Sequence, residues 1–301
     1  MRTPRLVSAR PRAGTCSNSE LPALSAALDA EFVVGRGRSG ALAWRYPDLL
    51  GEQNLQHLYV RRHAGRIVSC CAARRFSWTS AHERWQGAMI GLVWTAPQAR
   101  SRGHAAGVLE DATDALAAAG VDFLVLWSGL NGFYERLGWD AHDRGVFGSL
   151  HLGGPAPRAA PALELDVARY EALRAPEAKA RVMRDAQHYR CVPLPATRVG
   201  TVFVRDGEAE AAAIVGAAAE ACYVYEAVGA PAALPALWRT LTATATSIHV
   251  NESIGSPFHR WLAQHTPLEF AAQELAYWRM LSPRARRALW RDWHIPYFDR
   301  I

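Results

Sequence analysis

Residues Leu92 to Ala106 read LVWTAPQARSRGHAA. An apolar run passes through Pro97 into a loop holding Arg100, Ser101, Arg102, Gly103 and His104. The loop opens on a helix-forming stretch from about Ala105 to Ala119, which stops at Gly120. The first amides of a helix have no partner in their own turn, and the macrodipole adds partial positive charge there. A strand delivered into such a start makes an anion site. Gly103 lets the backbone approach a bulky diphosphate, small Ala105 and Ala106 keep the entrance open, and Arg100 and Arg102 add charge. The stretch has neither the GK[ST] of a P-loop nor the GxGxxG of a dinucleotide fold, and an exposed Arg-rich turn before a surface helix would also fit it.

Working outward, RLVSARP (5–11) reads as a strand, and Ser17 with Glu20 forms a capping-box pattern ahead of the helix LPALSAALDAEF (21–32). A second helical stretch, ALAWRYPDLL (41–50), is broken at Pro47. HLYVRRHAGRIVSCCAARRFSW (57–78) predicts two strands joined at Ala64-Gly65, and GAMIGLVWTA (87–96) a third. Beyond the long helix come the strand DFLVLWS (122–128), the short helix GFYERLG (132–138) and a last strand ending at Leu152. The strands before and after the long helix are expected to be parallel and buried on both faces. HLGGPAPRAAP (151–161) carries Gly and Pro without apolar periodicity and reads as a linker that divides the chain almost in half.

The second half repeats the order. It predicts the strand ALELD (162–166), helices across VARYEAL (167–173) and KARVMRDAQ (179–187), and a hairpin TVFVRDGEAEAAAIV (201–215) turning at Asp206-Gly207. The strand ACYVYEAV, the helix LPALWRTLTATA, the strand SIHVN, the helix PFHRWLAQH and the strand LEFAAQELAYW follow, and an Arg-rich helix PRARRALWRDW (283–293) closes the sequence. The fold class is α/β with a mixed sheet, in two copies of one unit spanning 1–152 and 162–301.

Half of the 301 residues are hydrophobic, which excludes a largely disordered chain. No apolar run approaches the roughly 20 residues of a membrane-spanning helix, so no membrane role is expected. The formal charge of +6 comes almost wholly from arginine, Lys179 being the sole lysine; we read this as genome composition rather than a nucleic-acid surface. The terminal basic helix, with Arg284, Arg286, Arg287 and Arg291 beside Trp290 and Trp293, reads as a solvated face. Five cysteines without CxxC spacing, Cys16, Cys70, Cys71, Cys191 and Cys222, fit a reducing cytoplasm. Cys70 and Cys71 point to opposite faces of a strand. No His/Cys/Asp cluster has metal spacing, so no metal is expected.

The pattern V-x-x-x-P-x-x-R-x-x-G-x-A between strand and helix, followed some 25 residues later by FYERLGW, resembles the acetyl-CoA signature of the GCN5-related N-acetyltransferase (GNAT) superfamily. The matching positions are Arg100, Gly103 and Ala105, then Phe133, Tyr134, Arg136, Leu137 and Gly138. The resemblance implies an acetyl-CoA-dependent N-acetyltransferase acting on a small-molecule or peptide amine. In it the backbone of Val93 and Thr95 binds the pantetheine arm like an added strand, and Arg100 to Ala106 hold the pyrophosphate. The second half matches in element order alone. After its corresponding strand, EAVGAPAALPALWR (226–239) has no R-x-x-G-x-A loop and carries Pro231 and Pro235, so it is similar to a degenerate second copy. Among tandem members the arrangement resembles the enhanced-intracellular-survival (Eis) type without its third, sterol-carrier-like domain. Members of that type are thought to use a terminal carboxylate as base, which raises the same question for Ile301.

The implied reaction is attack of a free amine on the acetyl thioester. Its oxyanion needs a donor and its departing thiolate a proton. Tyr134 matches the family's general-acid position, and a phenol with pKa near 10 can protonate a thiolate of comparable basicity; its structural alternative is a core ring packed beneath Trp139. His82, Glu83 and Glu110 read as surface residues rather than bases. Trp44, Trp78, Trp85 and Trp94 could stack on a ring-shaped or cationic amine, although packing accounts better for any single one. Two other classes remain open. One is a non-catalytic module that binds acyl-CoA or RNA. The other is an aminoacyl-tRNA-dependent peptidyltransferase, against which the Arg100-Gly103-Ala105 loop argues because that donor has no coenzyme A pyrophosphate.

Overall fold

The computed structural model describes residues 12–80, 83–153, 164–177, 180–218, 220–243, 245–272, 275–288 and 290–301. The strands among them are β1 (Arg12–Thr15), β2 (Leu58–His63), β3 (Arg66–Ser80), β4 (Glu83–Thr95), β5 (Phe123–Trp127), β6 (Asp140–Ala141) and β7 (Gly145–His151). There follow β8 (Ala180–Met183), β9 (Arg198–Asp206), β10 (Ala209–Ala218), β11 (Ala221–Gly229), β12 (Ser247–Ser253), β13 (Phe270–Ala272) and β14 (Ala276–Met280). The helices are α1 (Leu21–Phe32), α2 (Leu42–Arg45), α3 (His104–Ala118), α4 (Val167–Glu177), α5 (Leu234–Thr242), α6 (Pro257–His265) and α7 (Pro283–Arg287).

Local chemistry sets most of these bounds. Ala64 and Gly65 both adopt positive φ, +49° and +76°, the turn that matches the twist of a two-residue hairpin between β2 and β3. Gly120 at φ +78° ends α3, and the Val121 amide bonds back to the Leu116 carbonyl at 3.0 Å. At α1 the Ser17 amide donates to the Glu20 carboxylate at 2.9 Å, half of a capping box; the Ser17 hydroxyl also donates to Glu20, which Arg62 holds as well.

Two sheets result. The first runs β1-β2-β3-β4-β5-β14-β6, with β8 on the far end of β3; the second runs β13-β7-β12-β11-β10-β9. Both have the same plan: an antiparallel run leading to one parallel pair, β4 with β5 and β11 with β12, with α3 and α5 as the crossovers. In each sheet the strand paired to the outer edge of β5 or β12, away from the parallel partner, comes from the opposite half. β7, at the end of the first half, lies between β12 and β13, and β14, from the second half, lies between β5 and β6. Sheet membership therefore changes hands near residue 145 and again near 275, with β8 returning briefly to the first sheet in between. Tyr277 and Trp278 on β14 are 1% and 2% exposed, and burying such side chains is worth about 1.5–3 kcal/mol each. The exchange therefore ties the halves into one core.

The first sheet is covered on one face by α1 and α2, over Cys70, and on the other by α3, over Cys71. The two adjacent thiols do point to opposite faces. Trp78, Trp85, Trp290 and Trp293 pack together around Phe123, so these tryptophans fill the core, whereas Trp44 is 56% exposed. No helix among the described residues is long and apolar enough to cross a membrane.

Several expectations need correction. KARVMRDAQ does not form a helix. Ala180–Met183 is a strand on Ser77–Ser80 of β3, a backbone edge that lies beyond the reach of β2. In ALELD, residues 164–166 form no strand, and the Glu164 carbonyl instead accepts from the Thr201 amide at 2.8 Å. LEFAAQELAYW is two strands in two sheets. The terminal helix is only Pro283–Arg287, because Trp290 and Trp293 turn into the core and Arg284 pairs with Asp122. The strand RLVSARP, His82 and most of the linker lie outside the described residues.

Candidate active site

β4 and β5 pair over only three positions, Gly87 with Phe123, Ala88 with Leu124 and Met89 with Val125. Beyond Met89 they part. On its other side β4 slips against β3. Gly91 faces Ala72 and Trp94 faces Cys70, so Leu92 and Val93 oppose the single residue Cys71. Leu92 takes φ +51° to make this bulge, which bends β4 away from β5 and opens a V-shaped splay. Among the described residues Leu92 and Val93 have no strand partner on either side. Thr95 follows, its hydroxyl 3.0 Å from that of Ser69.

The loop from Pro97 leads from the splay into α3. Ser101 at φ +61° and Gly103 at φ +76° turn the chain so that Gly103 becomes the N-cap, with no side chain capping it and nothing within 4 Å of where its Cβ would stand. The first bond of the helix runs from the Gly107 amide to the Gly103 carbonyl. The amides of His104, Ala105 and Ala106 thus precede the helical ladder, at the mouth of an exposed loop. The sequence-derived residues Val93, Thr95 and Arg100 to Ala106 are brought together along one path from splay to helix start.

Arg100 is already engaged. It pairs with Glu31 of α1 at 2.7 Å, and its Nε donates to the Thr95 carbonyl at 3.1 Å. Both ends of its ion pair are well exposed, so the link is weak and exchangeable. A second cation, which sequence reasoning missed, lies closer to the helix. Arg61 of β2 reaches Asp111 through Nε at 2.5 Å and Nη2 at 2.9 Å, and a Cβ on Gly107 would overlap its guanidinium. A glycine inside a helix costs about 1 kcal/mol relative to alanine, and that anomaly at Gly107 was the available signal. Partial burial, then Arg61, Arg102 and His63, push the His104 imidazole below its usual pKa, so the helix start is ringed by positive charge.

Tyr134 is 4% exposed and packs edge-on to Phe133 and Trp139 and obliquely on Tyr277 at 5.1 Å. It shares its cluster with Ile90 and Leu126, which flank the splay. Burial raises its pKa, against a hydrogen bond with Ser128 at the end of β5, so the phenol holds its proton. Glu110 is paired with Arg279 at 2.9 Å and Glu83 is exposed. Ile301 lies across the splay: a Cβ on Gly91 would stand 3.1 Å from its Cγ1 and 3.4 Å from its main-chain carbon.

The matching region of the second half is closed. Gly229, at φ +118°, lies so tightly on Ala211 that any Cβ would overlap its backbone, the Ala230 amide bonds the Glu210 carbonyl at 2.8 Å, and Pro235 occupies the first turn of α5. Beside it Glu226 binds Arg174 at 3.1 Å and Arg184 at 2.6 Å, and Arg184 also takes Asp299. Burial would raise Asp299, but the charge and hydrogen bonds of Arg184 outweigh it and hold the carboxyl at about 2. Among the described residues no group of three or more His, Cys, Asp or Glu could hold a metal ion.

Residues 38–141 match the family model of the acetyltransferase (GNAT) domain. No curated protein matches the sequence. The fold is similar to that of a GCN5-related N-acetyltransferase from Anabaena variabilis, with 13% identity, TM-score 0.70, 91% of this chain and 73% of that one covered. It is similar to Eis1 from Mycobacterium abscessus, with 16% identity, TM-score 0.60, and 91% and 74% covered. It is also similar to the N-myristoyltransferase of Saccharomyces cerevisiae, with 9% identity, TM-score 0.57, and 92% and 82% covered. The splay and the glycine-capped helix start lie within residues 38–141, the part of the chain that matches the GNAT domain, and the chain shares the fold of GCN5-related N-acetyltransferases.

Proposed function

We propose that the chain moves an acetyl group from acetyl-CoA to a primary amine by direct attack on the thioester. The observation that carries this is the continuous path from the splay at Leu92 and Val93 to the amides at the start of α3. An unpaired strand edge suits the amide-bearing pantetheine arm. The loop that ends in Gly103, with His104, Ala105 and Ala106 behind it, suits a pyrophosphate. Several charge-assisted hydrogen bonds of about 1.5–3 kcal/mol each support micromolar binding.

In this reading Tyr134 protonates the departing thiolate. The phenol is neutral at pH 7 and so has a proton to give, while its burial, which raises its pKa, makes it hold that proton until a thiolate of comparable basicity departs beside it. The amine arrives from the face of α1 and α2, the donor from the face of α3, and they meet in the splay. The catalytic unit is carried along residues 1–152 and completed by β14. Residues 162–301 form the copy without a loop of its own, whose contribution is structural. The test is a screen of amine classes against acetyl-CoA with detection of released thiol, repeated with longer acyl-CoA donors. Thiol release that depends on an amine supports the reading. Tight binding of acetyl-CoA without release by any amine would favour the non-catalytic module instead.

A further inference from the structure

In the acyl-transfer reading the donor enters the splay at its open end, from the loop at Arg100 to Ala106, and runs back along β4 toward the vertex that the Met89–Val125 pair closes. A thioester carried along this path comes beside Leu92 and Gly91 with its acyl group foremost. The vertex blocks the way ahead, so the acyl group must turn to one face of the sheet or the other.

The two faces differ. Side chains alternate along a strand, so Ile90 and Gly91 belong to opposite sides. On the α3 side Ile90, Leu126, Tyr134 and Trp139 pack in one cluster, each between 1% and 4% exposed. On the other side Gly91 brings no side chain, and Ile301 covers it. A Cβ on Gly91 would stand 3.1 Å from Ile301 Cγ1 and 3.3 Å from Cδ1, closer than the roughly 3.5–4.0 Å at which carbons pack. The Ile301 side chain therefore already rests on the bare strand. It is half-buried and joins two clusters, that of Leu92 and Trp94 and that of Met89, Val125 and Trp127, which hold the two arms of the splay.

This plug is anchored from both halves of the chain. Arg184 binds the Asp299 carboxylate at 2.7 and 2.8 Å, and Arg74 of β3 donates to the Asp299 carbonyl. The Arg300 guanidinium lies 5.0 Å from the Trp127 ring, and its Nε donates to the Ile295 carbonyl at 3.1 Å. The Tyr297 hydroxyl donates to the Leu194 carbonyl at 3.2 Å, and its ring stacks on Tyr225 at 5.5 Å. Ile301 cannot swing aside without loosening these links, so it is a fixed stop rather than a mobile flap.

We propose that Ile301 sets the length of the acyl group the donor can carry: an acetyl group ends against its side chain, and each further carbon has to displace it. This rests on the acyl-transfer reading, since it names the donor class of that reaction. One methylene too many in a packed apolar site is worth about 10- to 200-fold in discrimination.

The test is calorimetric binding of CoA, acetyl-CoA and hexanoyl-CoA to the whole chain. The wild type is expected to bind acetyl-CoA about tenfold or more tightly than hexanoyl-CoA. Ile301→Ala, which shortens a half-buried side chain, is expected to bind hexanoyl-CoA at least as tightly as acetyl-CoA, with its affinity for CoA itself unchanged. Adding Gly91→Ala to Ile301→Ala puts a methyl group back over the strand, 3.4 Å from the main-chain carbon of residue 301, and is expected to restore the preference for acetyl-CoA. Gly91 does not have the positive φ that would exclude alanine. A wild type that binds both thioesters alike, an Ile301→Ala variant that keeps the wild-type ratio, or a double variant that stays relaxed overturns the proposal. Failure of the acyl-transfer reading shows separately, as absence of binding by CoA itself, which removes the ground of both.

Discussion

Replacing Gly103 by Asp separates folding from donor binding at one atom. A non-glycine residue at φ +76° pays about 1–2 kcal/mol, toward the lower end for Asp, whose side chain tolerates the left-handed region. No clash is added, because nothing lies within 4 Å of the new Cβ. An Asp at an uncapped N-cap recovers about 0.5–2 kcal/mol by accepting from the first-turn amides. The unliganded protein should therefore melt within a few degrees of the wild type. Donor binding should fail, since the new carboxylate takes the amides of the first turn and repels the pyrophosphate. Acetyl-CoA at 100 times its dissociation constant stabilises a fold by about 2.7 kcal/mol, roughly a 5 °C rise for a chain of this size. Thermal melts with and without acetyl-CoA measure both quantities. The wild type should shift, Gly103→Asp should not, and Ala230→Asp should shift like the wild type, because the Ala230 amide already serves Glu210. A full shift in Gly103→Asp would refute the placement of the pyrophosphate, and a collapse of its unliganded melting point would show the loop to be structural.

Tyr134→Phe keeps the ring contacts with Trp139 and Tyr277, removes only the proton donor, and is expected to lower turnover by roughly 100- to 10,000-fold with acetyl-CoA affinity little changed, as kinetics and calorimetry side by side will show. The same change at Tyr223 should leave turnover within a few-fold. Asp299, held at about 2 against an unfolded value near 3.9, contributes stability that is present above pH ~4 and lost as pH falls through 2; Asp299→Asn, which leaves Arg184 short of a partner, should cost about 3–5 kcal/mol in denaturant melts at pH 7 and lose that penalty in strong acid. Glu252 behaves oppositely. Burial raises it to about 8, so the folded chain keeps a proton that the unfolded chain releases above pH ~4.3, and stability falls as pH rises between the two values. Glu252→Gln should flatten that decline, and an unchanged slope in melts from pH 5 to 8 would refute the assignment.

The sequence by itself determined what depends on neighbours along the chain. The run into Pro97, the glycine at 103, the hairpin turn at Ala64-Gly65 and the helix stop at Gly120 are local backbone requirements, and each is visible in residue types a few positions apart. They sufficed for the parallel pair around α3, the helix start that faces the splay, and the repeated order of elements. Tertiary structure decided whatever needs a partner far along the chain. KARVMRDAQ has a helical composition, yet residues 180–183 meet the open edge of β3 and become a strand, because backbone pairing to an available edge outweighs a weak propensity. The exchange of β7 and β14 cannot be read from periodicity, since an alternating strand fits either sheet equally well and only its place beside β5 or β12 distinguishes them. Arg61 is one among many arginines in the sequence. What sets it apart is the glycine cradle under its guanidinium, a property of space around a side chain that no linear pattern encodes.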